Sequence, residues 1–204
     1  MPLSIRRLQI ALARRRQRPG SGSPLAFLLK RTADVQWPDL SGVLDVPWCV
    51  VGAVATRLYM PERATADLDV AVAGADADRA VTAVRTAGFE SLGDLSIGGS
   101  AWRTPEGQAV DLLYLLDEWA GEAIAEAQGN RDLQGLPVMP LPYLAILKLD
   151  ASRLQDVADL GRMLGQAGDD QLAAVREAVA RWRPADSEDL EALIASGRWE
   201  LGLQ

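Results

Sequence analysis

Two aspartates lie at the start of an apolar stretch, with a single residue between them. The segment from Leu68 to Val72 has the composition of a buried β-strand, and Asp67 and Asp69 lie at its start. Side chains two residues apart in a strand point to the same side of the sheet, so both carboxylates face one way. At about 4 Å apart they would repel by roughly 4 kcal/mol at an effective dielectric of about 20. The pattern therefore predicts a bound divalent cation, Mg²⁺ or Mn²⁺, as the countercharge.

A strand and a glycine precede this pair. The apolar run from Trp48 to Val51 is a predicted strand, and Gly52 ends it before a short helical pattern from Ala53 to Tyr59. A glycine allows a phosphate group to approach the backbone, and the amides at the start of a helix favour an anion. The segment is thus suited to hold phosphates beside a metal ion.

A third acid, Asp111, lies in the apolar run of residues 109–116. An isolated aspartate is costly to bury in such a run unless it is paired or bound to metal. If its strand lies beside the first pair, Asp111 completes a metal site with Asp67 and Asp69. It could then also accept the proton of an attacking hydroxyl.

Composition excludes several kinds of chemistry. The 204 residues contain no histidine, which excludes serine–histidine–aspartate hydrolysis, histidine-liganded zinc and histidine phosphorelays. The single cysteine, Cys49, can form neither an internal disulfide nor a multi-cysteine zinc site, and its apolar surroundings predict a buried thiol. A reducing, cytoplasmic location fits these features.

Charge is segregated along the chain. Residues 1–33 contain eight basic residues and no acid, whereas the remainder has 13 basic and 28 acidic residues. The basic N-terminal segment either supplies a basic strip that binds nucleic acid or forms a basic helix that packs on the acidic remainder of the chain. Its apolar stretch is too short to span a membrane.

Element patterns predict an α+β fold with a small mixed or antiparallel sheet, flanking helices and a helical C-terminal part. The predicted regions are a basic arm and linker at 1–24, a core at 25–140 and a helical region at 141–204. The further predicted helices are a surface helix before Pro19, helices at 25–33, 76–87, 117–127, 169–182 and 186–196, and one long helix from Leu141 through Leu164. Asp76 is the predicted N-cap of the helix at 76–87, and Gly88 is its predicted C-terminal stop. The further predicted strands are at 96–104, 109–115 and 136–139, and a linker is predicted at 18–24.

The segment from Val50 to Val72 resembles the nucleotidyltransferase superfamily related to DNA polymerase beta. That family combines a strand, a glycine with a second small residue, a short helix, an Asp-x-Asp pair and a later strand-borne acid. Here 13 residues separate Ala53 from Asp67. The resemblance implies a metal-dependent transfer of a nucleoside monophosphate from a triphosphate to a hydroxyl. Ala53 replaces the usual glycine or serine, which removes an expected side-chain contact to the terminal phosphate.

A narrower similarity covers the segment LPYLAILKLDASRLQDVADLGRML, which looks like a helix of the bacterial type IV toxin-type (abortive-infection) and minimal nucleotidyltransferases. The resemblance implies that Lys148 contacts nucleotide phosphates and that Asp156 and Asp159 orient basic groups near the site. It also implies a transfer RNA end or a protein hydroxyl as acceptor, with a cognate antitoxin as a partner. Antibiotic modification is a second acceptor class within the same chemistry.

Alternatives remain for several of these residues. Arg57 and Arg63 could meet the triphosphate, although exposed arginines are the ordinary case. Lys148 could face solvent on an amphipathic helix, and Asp156 and Asp159 could form surface ion pairs of little energetic value. The rival to an enzyme is a catalytically inactive protein that keeps the nucleotidyltransferase fold for binding or regulation.

Overall fold

The computed structural model describes residues 5–16, 19–20, 36–60 and 65–203, which form two compact units. A sheet unit comprises described residues 36–58 and 65–140. A helical unit comprises residues 5–16, 19–20, 59–60 and 141–203, so it is built from both ends of the chain. The predicted linker at 18–24, apart from Pro19 and Gly20, and the predicted helix at 25–33 lie outside the described residues.

The sheet unit contains five strands and three α-helices. They are β1 (Trp48–Val50), α2 (Gly52–Ala55), β2 (Asp67–Ala73), α3 (Ala77–Thr86), β3 (Glu90–Asp94), β4 (Gly99–Arg103), β5 (Ala109–Leu115) and α4 (Ala120–Ala127), with 3-10 turns at Leu40–Gly42, Thr56–Leu58 and Gly74–Asp76. The strand order is β1-β2-β5-β4-β3. Only β2 and β5 run parallel, and the other neighbours are antiparallel. The predicted α+β class with a mixed sheet is therefore confirmed.

The two central strands have one buried face and one half-exposed face. On β2, Leu68, Val70 and Val72 are fully buried, while Asp67 and Asp69 alternate with them and are only half-buried. The same alternation on β5 buries Val110 and Leu112 and leaves Asp111 half-buried. Alternation of period two thus places the apolar residues in the core and the acids on the opposite face.

Strand β3 was missed by the sequence patterns. All five of its residues are exposed, and the sequence ESLGD contains neither apolar alternation nor β-branched residues. Pairing with β4 at the edge of the sheet holds it in place. The predicted strand at 96–104 begins only at Gly99, because Gly98 N–H donates to the Leu95 carbonyl in a tight turn.

Of two smaller predictions, one was wrong and the other was correct in position only. Residues 136–139 form no strand; Val138 makes an isolated parallel bridge to Val50 beside β1. Asp76 precedes helix α3 as predicted, but its side chain makes no capping hydrogen bond. It accepts instead from Arg79 Nη1 at 3.4 Å, while Gly88 ends the helix with a φ of 85°.

Five α-helices lie within the described residues of the helical unit. They are α1 (Ile5–Arg16), α5 (Leu141–Ala151), α6 (Leu154–Gln166), α7 (Asp169–Trp182) and α8 (Ser187–Leu201), with a 3-10 turn at Pro184–Asp186. The predicted single helix from 141 through 164 is wrong, since it breaks between α5 and α6. Ser152 has a φ of 50° at this break. The helical spacing of apolar residues continues across the break, so the sequence pattern gave no sign of it.

Helices α6 and α8 cross at glycines. A Cβ built on Gly197 would overlap the Gly161 carbonyl oxygen and lie 2.9 Å from the Gly165 Cα. The two backbones therefore approach more closely than any side chain would allow. This crossing forms the most extensive contact between helices of the unit.

Helix α1 packs on α8 and uses its first two arginines there. Arg6 Nη1 donates to Asp186 Oδ1 at 2.6 Å, and Arg7 Nε donates to Asp189 Oδ1 at 3.1 Å. Ile10 is buried beneath the helix. Of the two predictions for the basic N-terminal segment, these two arginines therefore support the basic helix that packs on acidic residues. No helix within the described residues has the length and apolar character needed to cross a bilayer.

Candidate active site

Three aspartates from two strands converge on the half-exposed face of the sheet. Parallel pairing of β2 and β5 sets Asp69 directly opposite Asp111, while Asp67 lies one row away, opposite Ala109. One carboxylate oxygen from each of Asp67, Asp69 and Asp111 lies within 4.8 Å of the other two. The sequence predicted this convergence; the register explains it, because opposite residues on neighbouring strands project to the same face.

Gly52 lies directly against this group. Its φ is 62°, and a Cβ built on it would lie 2.8 Å from the Asp69 Cβ and overlap Oδ2. The preceding Val51 N–H donates to the Asp69 carbonyl at 2.9 Å, which fixes β2 beside the turn. Both the left-handed backbone and the close approach require glycine. Ala53 follows as a buried residue in helix α2.

Thr65, which is not part of the predicted motif, forms a hydrogen bond with Asp67. Its hydroxyl donates to Asp67 Oδ1 at 2.6 Å, which constrains the carboxylate just before β2 begins. We did not single out this residue from the sequence. A hydroxyl two positions before an acidic ligand is the only signal that could have identified it.

The electrostatics of the group fit a divalent cation. Burial raises the pKa of the Asp111 carboxyl above its usual value, and the neighbouring charge of Asp67 raises it further. Three carboxylates then share one face, where their like charges repel one another. Magnesium and manganese prefer such oxygen ligands, so the residues fit either ion. Among the described residues, this is the one acidic group with ligand atoms close enough to share an ion.

Arg57 is buried in the sheet unit, although an exposed arginine was the ordinary expectation. Its guanidinium pairs with Asp132 through Nε and Nη2, and Nη2 also donates to Gln134 Oε1 at 2.6 Å. Asp132 Oδ1 in turn accepts from the Leu136 N–H at 3.0 Å. The contacts fasten the loop after α4 to the turn after α2. A role for Arg57 toward nucleotide stays a prediction, and Arg63 lies outside the described residues.

Lys148 forms a buried ion cluster within the helical unit. Its ammonium donates to Asp156 Oδ1 at 3.1 Å and to Asp159 Oδ2 at 2.8 Å, and all three residues are buried. The alternatives of a solvent-facing lysine and surface ion pairs are therefore wrong. Gln155 also donates to Asp159, at 2.7 Å. The roles of Lys148, Asp156 and Asp159 toward a nucleotide remain predictions.

Arg153 adds a second cation to this cluster. Its Nε donates to Asp156 Oδ2 at 2.7 Å while most of its side chain stays exposed. Burial by itself would raise the pKa of the Asp156 carboxyl. Hydrogen bonds from Arg153 and Lys148 outweigh it, and the pKa lies below its usual value.

Two solved structures are similar to this chain. The solution structure of the antibiotic-resistance factor ANT(2'')-Ia aligns with a TM-score of 0.41 and 18% identity, covering 85% of this chain and 89% of that one. A crystal structure of ANT(2'')-Ia in complex with adenylyl-2''-tobramycin aligns with a TM-score of 0.41 and 18% identity, covering 85% and 95%. No protein-family model matches the sequence, and no curated protein matches it.

Proposed function

We propose that this protein is a metal-dependent nucleotidyltransferase that moves a nucleoside monophosphate from a nucleoside triphosphate to an acceptor hydroxyl. The observation that carries the proposal is the group formed by Asp67, Asp69 and Asp111, with Gly52 against it. Carboxylates that hold divalent metal beside an accessible backbone suit the displacement of pyrophosphate at phosphorus.

The three aspartates share one task, and Thr65 supports it. Asp67, Asp69 and Asp111 would hold Mg²⁺ or Mn²⁺, which when bound neutralises charge on the phosphate oxygens. Thr65 orients the Asp67 carboxylate through its hydroxyl. Asp111 would also accept the proton of the attacking hydroxyl.

Nucleotide contacts would come from the further residues that the sequence singled out. Gly52 and Ala53 offer backbone free of a bulky side chain, and Arg57 and Arg63 lie along the chain between them and β2. By family resemblance, Lys148 would contact phosphates, with Asp156 and Asp159 supporting it. For this, the Lys148 ammonium would exchange an aspartate partner for a phosphate oxygen.

The acceptor and the biological setting follow from the resemblance to toxin-type relatives. We propose a transfer RNA end or a protein hydroxyl as the acceptor, in the cytoplasm, with the chain as the toxin of a toxin–antitoxin pair. A small-molecule antibiotic is the other acceptor class for the same chemistry.

The test measures label transfer from each of the four nucleoside triphosphates, labelled at the α-phosphate, in the presence of Mg²⁺ or Mn²⁺. Total bacterial RNA, soluble cell protein and tobramycin serve as acceptors. Asp69→Asn should lower transfer by about 100-fold or more, because a metal ligand is lost. Asp94→Asn is the matched control, since it removes the same charge from an exposed position on β3 of the same sheet.

The alternative is an inactive protein that uses the same fold for binding or regulation. Ala53 favours it, because this buried methyl group replaces a glycine or serine that resembling enzymes present to the terminal phosphate. Under this alternative, metal and nucleotide still raise the melting temperature, but the wild type transfers no label to any acceptor. Transfer that depends on Asp69 and not on Asp94 would exclude it.

A further inference from the structure

The sheet face that carries the aspartates continues beyond Asp111 toward the edge of the sheet. On β4, Ala101 lies opposite Asp111, and on β3, Gly93 lies opposite Ala101. Residues paired across neighbouring strands project to the same face. The row that starts with two carboxylates therefore continues with the methyl group of Ala101, and it reaches Gly93 across a bulge at Leu92, where the register of β3 shifts by one residue.

The surface above Ala101 and Gly93 is only partly covered by the described residues. Ala101 is half-buried, whereas its neighbours Ser100 and Trp102 project to the other face and are buried. A Cβ built on Gly93 meets nothing within 4 Å. Two strand spacings separate Asp111 from Gly93, a path of about 10 Å. We refer to the surface over Ala101 and Gly93 as the Ala101 trough.

The direction of the proposed reaction points along this trough. Gly52 follows β1, so it lies on the side of β2 that faces away from β5. Phosphates held beside Gly52 put the leaving pyrophosphate on that side. Entering and leaving oxygens lie roughly in line on opposite sides of the transferred phosphorus. The hydroxyl must then enter from the β4 side, past Asp111.

We infer that the Ala101 trough seats the acceptor and that Ala101 is a specificity-determining residue, in an inference that rests on the proposed function. Its small side chain keeps the path to Asp111 open. A larger side chain at this position would stand directly beside the Asp111 carboxylate and obstruct the acceptor. The three aspartates and the backbone at Gly52 are unchanged by such a substitution, so metal and nucleotide would still bind.

The test is Ala101→Leu in the full chain, with Ala101→Val as a smaller change that suits a strand. Label transfer uses the same triphosphates and acceptors as above. Mg²⁺-dependent binding of α,β-methylene nucleoside triphosphates is measured separately by thermal shift. Ala101→Leu should lower transfer by about 100-fold through displacement of the acceptor, with an intermediate loss for Ala101→Val. The nucleotide-induced thermal shift should equal that of the wild type.

Ala73→Leu is the matched control. Ala73 is also a half-exposed alanine on this face of the sheet, but it ends β2, four residues beyond Asp69. It should transfer label at the wild-type rate. Equal transfer by Ala101→Leu and wild type, or loss of nucleotide binding in Ala101→Leu, overturns the trough while the proposed function stands. If the wild type transfers label to no acceptor, the proposed function fails and the trough fails with it.

Discussion

At the scale of single residues, the site depends on how closely Gly52 approaches Asp69. The glycine combines a left-handed φ of 62° with contact to the aspartate side chain. The first property needs only conformational freedom, whereas the second needs the absence of any side chain. These two requirements can be separated, because Gly135 has a φ of 82° in the same unit and open space around it.

Gly52→Ala should therefore destabilise the protein more than Gly135→Ala does. Both variants carry the left-handed backbone strain of about 1–2 kcal/mol. Only Gly52→Ala adds overlap with Asp69, a further loss of about 1–3 kcal/mol. Urea denaturation measures both losses, and Mg²⁺ titration by thermal shift should show weaker metal binding for Gly52→Ala alone. Equal losses in the two variants would show that the close approach is unimportant.

At the scale of elements, the break between α5 and α6 is fixed by a buried charge cluster. Ser152 turns the backbone, and the turn brings Lys148 on one helix against Asp156 and Asp159 on the next. Two buried carboxylates with a single buried ammonium would leave an unbalanced charge. Arg153, which precedes α6, supplies the second cation to Asp156 from the surface.

Asp156→Asn should make the protein less sensitive to acid. The pKa of Asp156 is lowered in the folded chain, so the unfolded chain binds the proton more readily as the pH falls. The stabilisation is complete above the ordinary aspartate pKa of about 3.9 and is lost as the pH falls through the lower folded value.

The measurement is the free energy of unfolding in urea between neutral pH and about pH 3, a range set by the ordinary aspartate pKa. Asp156→Asn should lose less stability than the wild type across the acid part of this range. The exposed Asp169→Asn provides the control, and it should follow the wild type. Parallel acid curves for all three proteins would rule out the cluster as a source of acid sensitivity.

At the scale of the whole molecule, each unit has its own core. Cys49 lies in the core of the sheet unit and has no exposed surface. Burial raises the pKa of its thiol to about 12, so the reactive thiolate is scarce at neutral pH. As the single cysteine of the chain, it reports opening of the sheet unit without interference from another thiol.

Labelling by a disulfide reagent should therefore be at least about a thousandfold slower in the native protein than in urea, since the strand must open first. The control is S91C in a Cys49→Ala background. Its thiol lies on the exposed strand β3 and should react at nearly the unfolded rate under native conditions. Fast native labelling of Cys49 would mean that β1 is not held in the core.

Local patterns in the sequence determined much of the sheet unit. Apolar runs predicted β2 and β5, and the two-residue spacing of Asp67 and Asp69 predicted that both acids face the same side. Gly52 was singled out because a glycine between a strand and a helix lets phosphate groups approach the backbone. These features depend on residues that are neighbours along the chain, so the sequence alone can predict them.

Tertiary structure alone decided the rest. The pairing of β2 with β5 set Asp111 opposite Asp69, and nothing in either strand specifies that register. Burial of Arg57 against Asp132 and of Lys148 against two aspartates reversed the ordinary expectation that such cations face water. Strand β3 exists only because β4 offers it backbone partners. Long-range pairing and desolvation govern these features, and neither is visible in the spacing of residues along the chain.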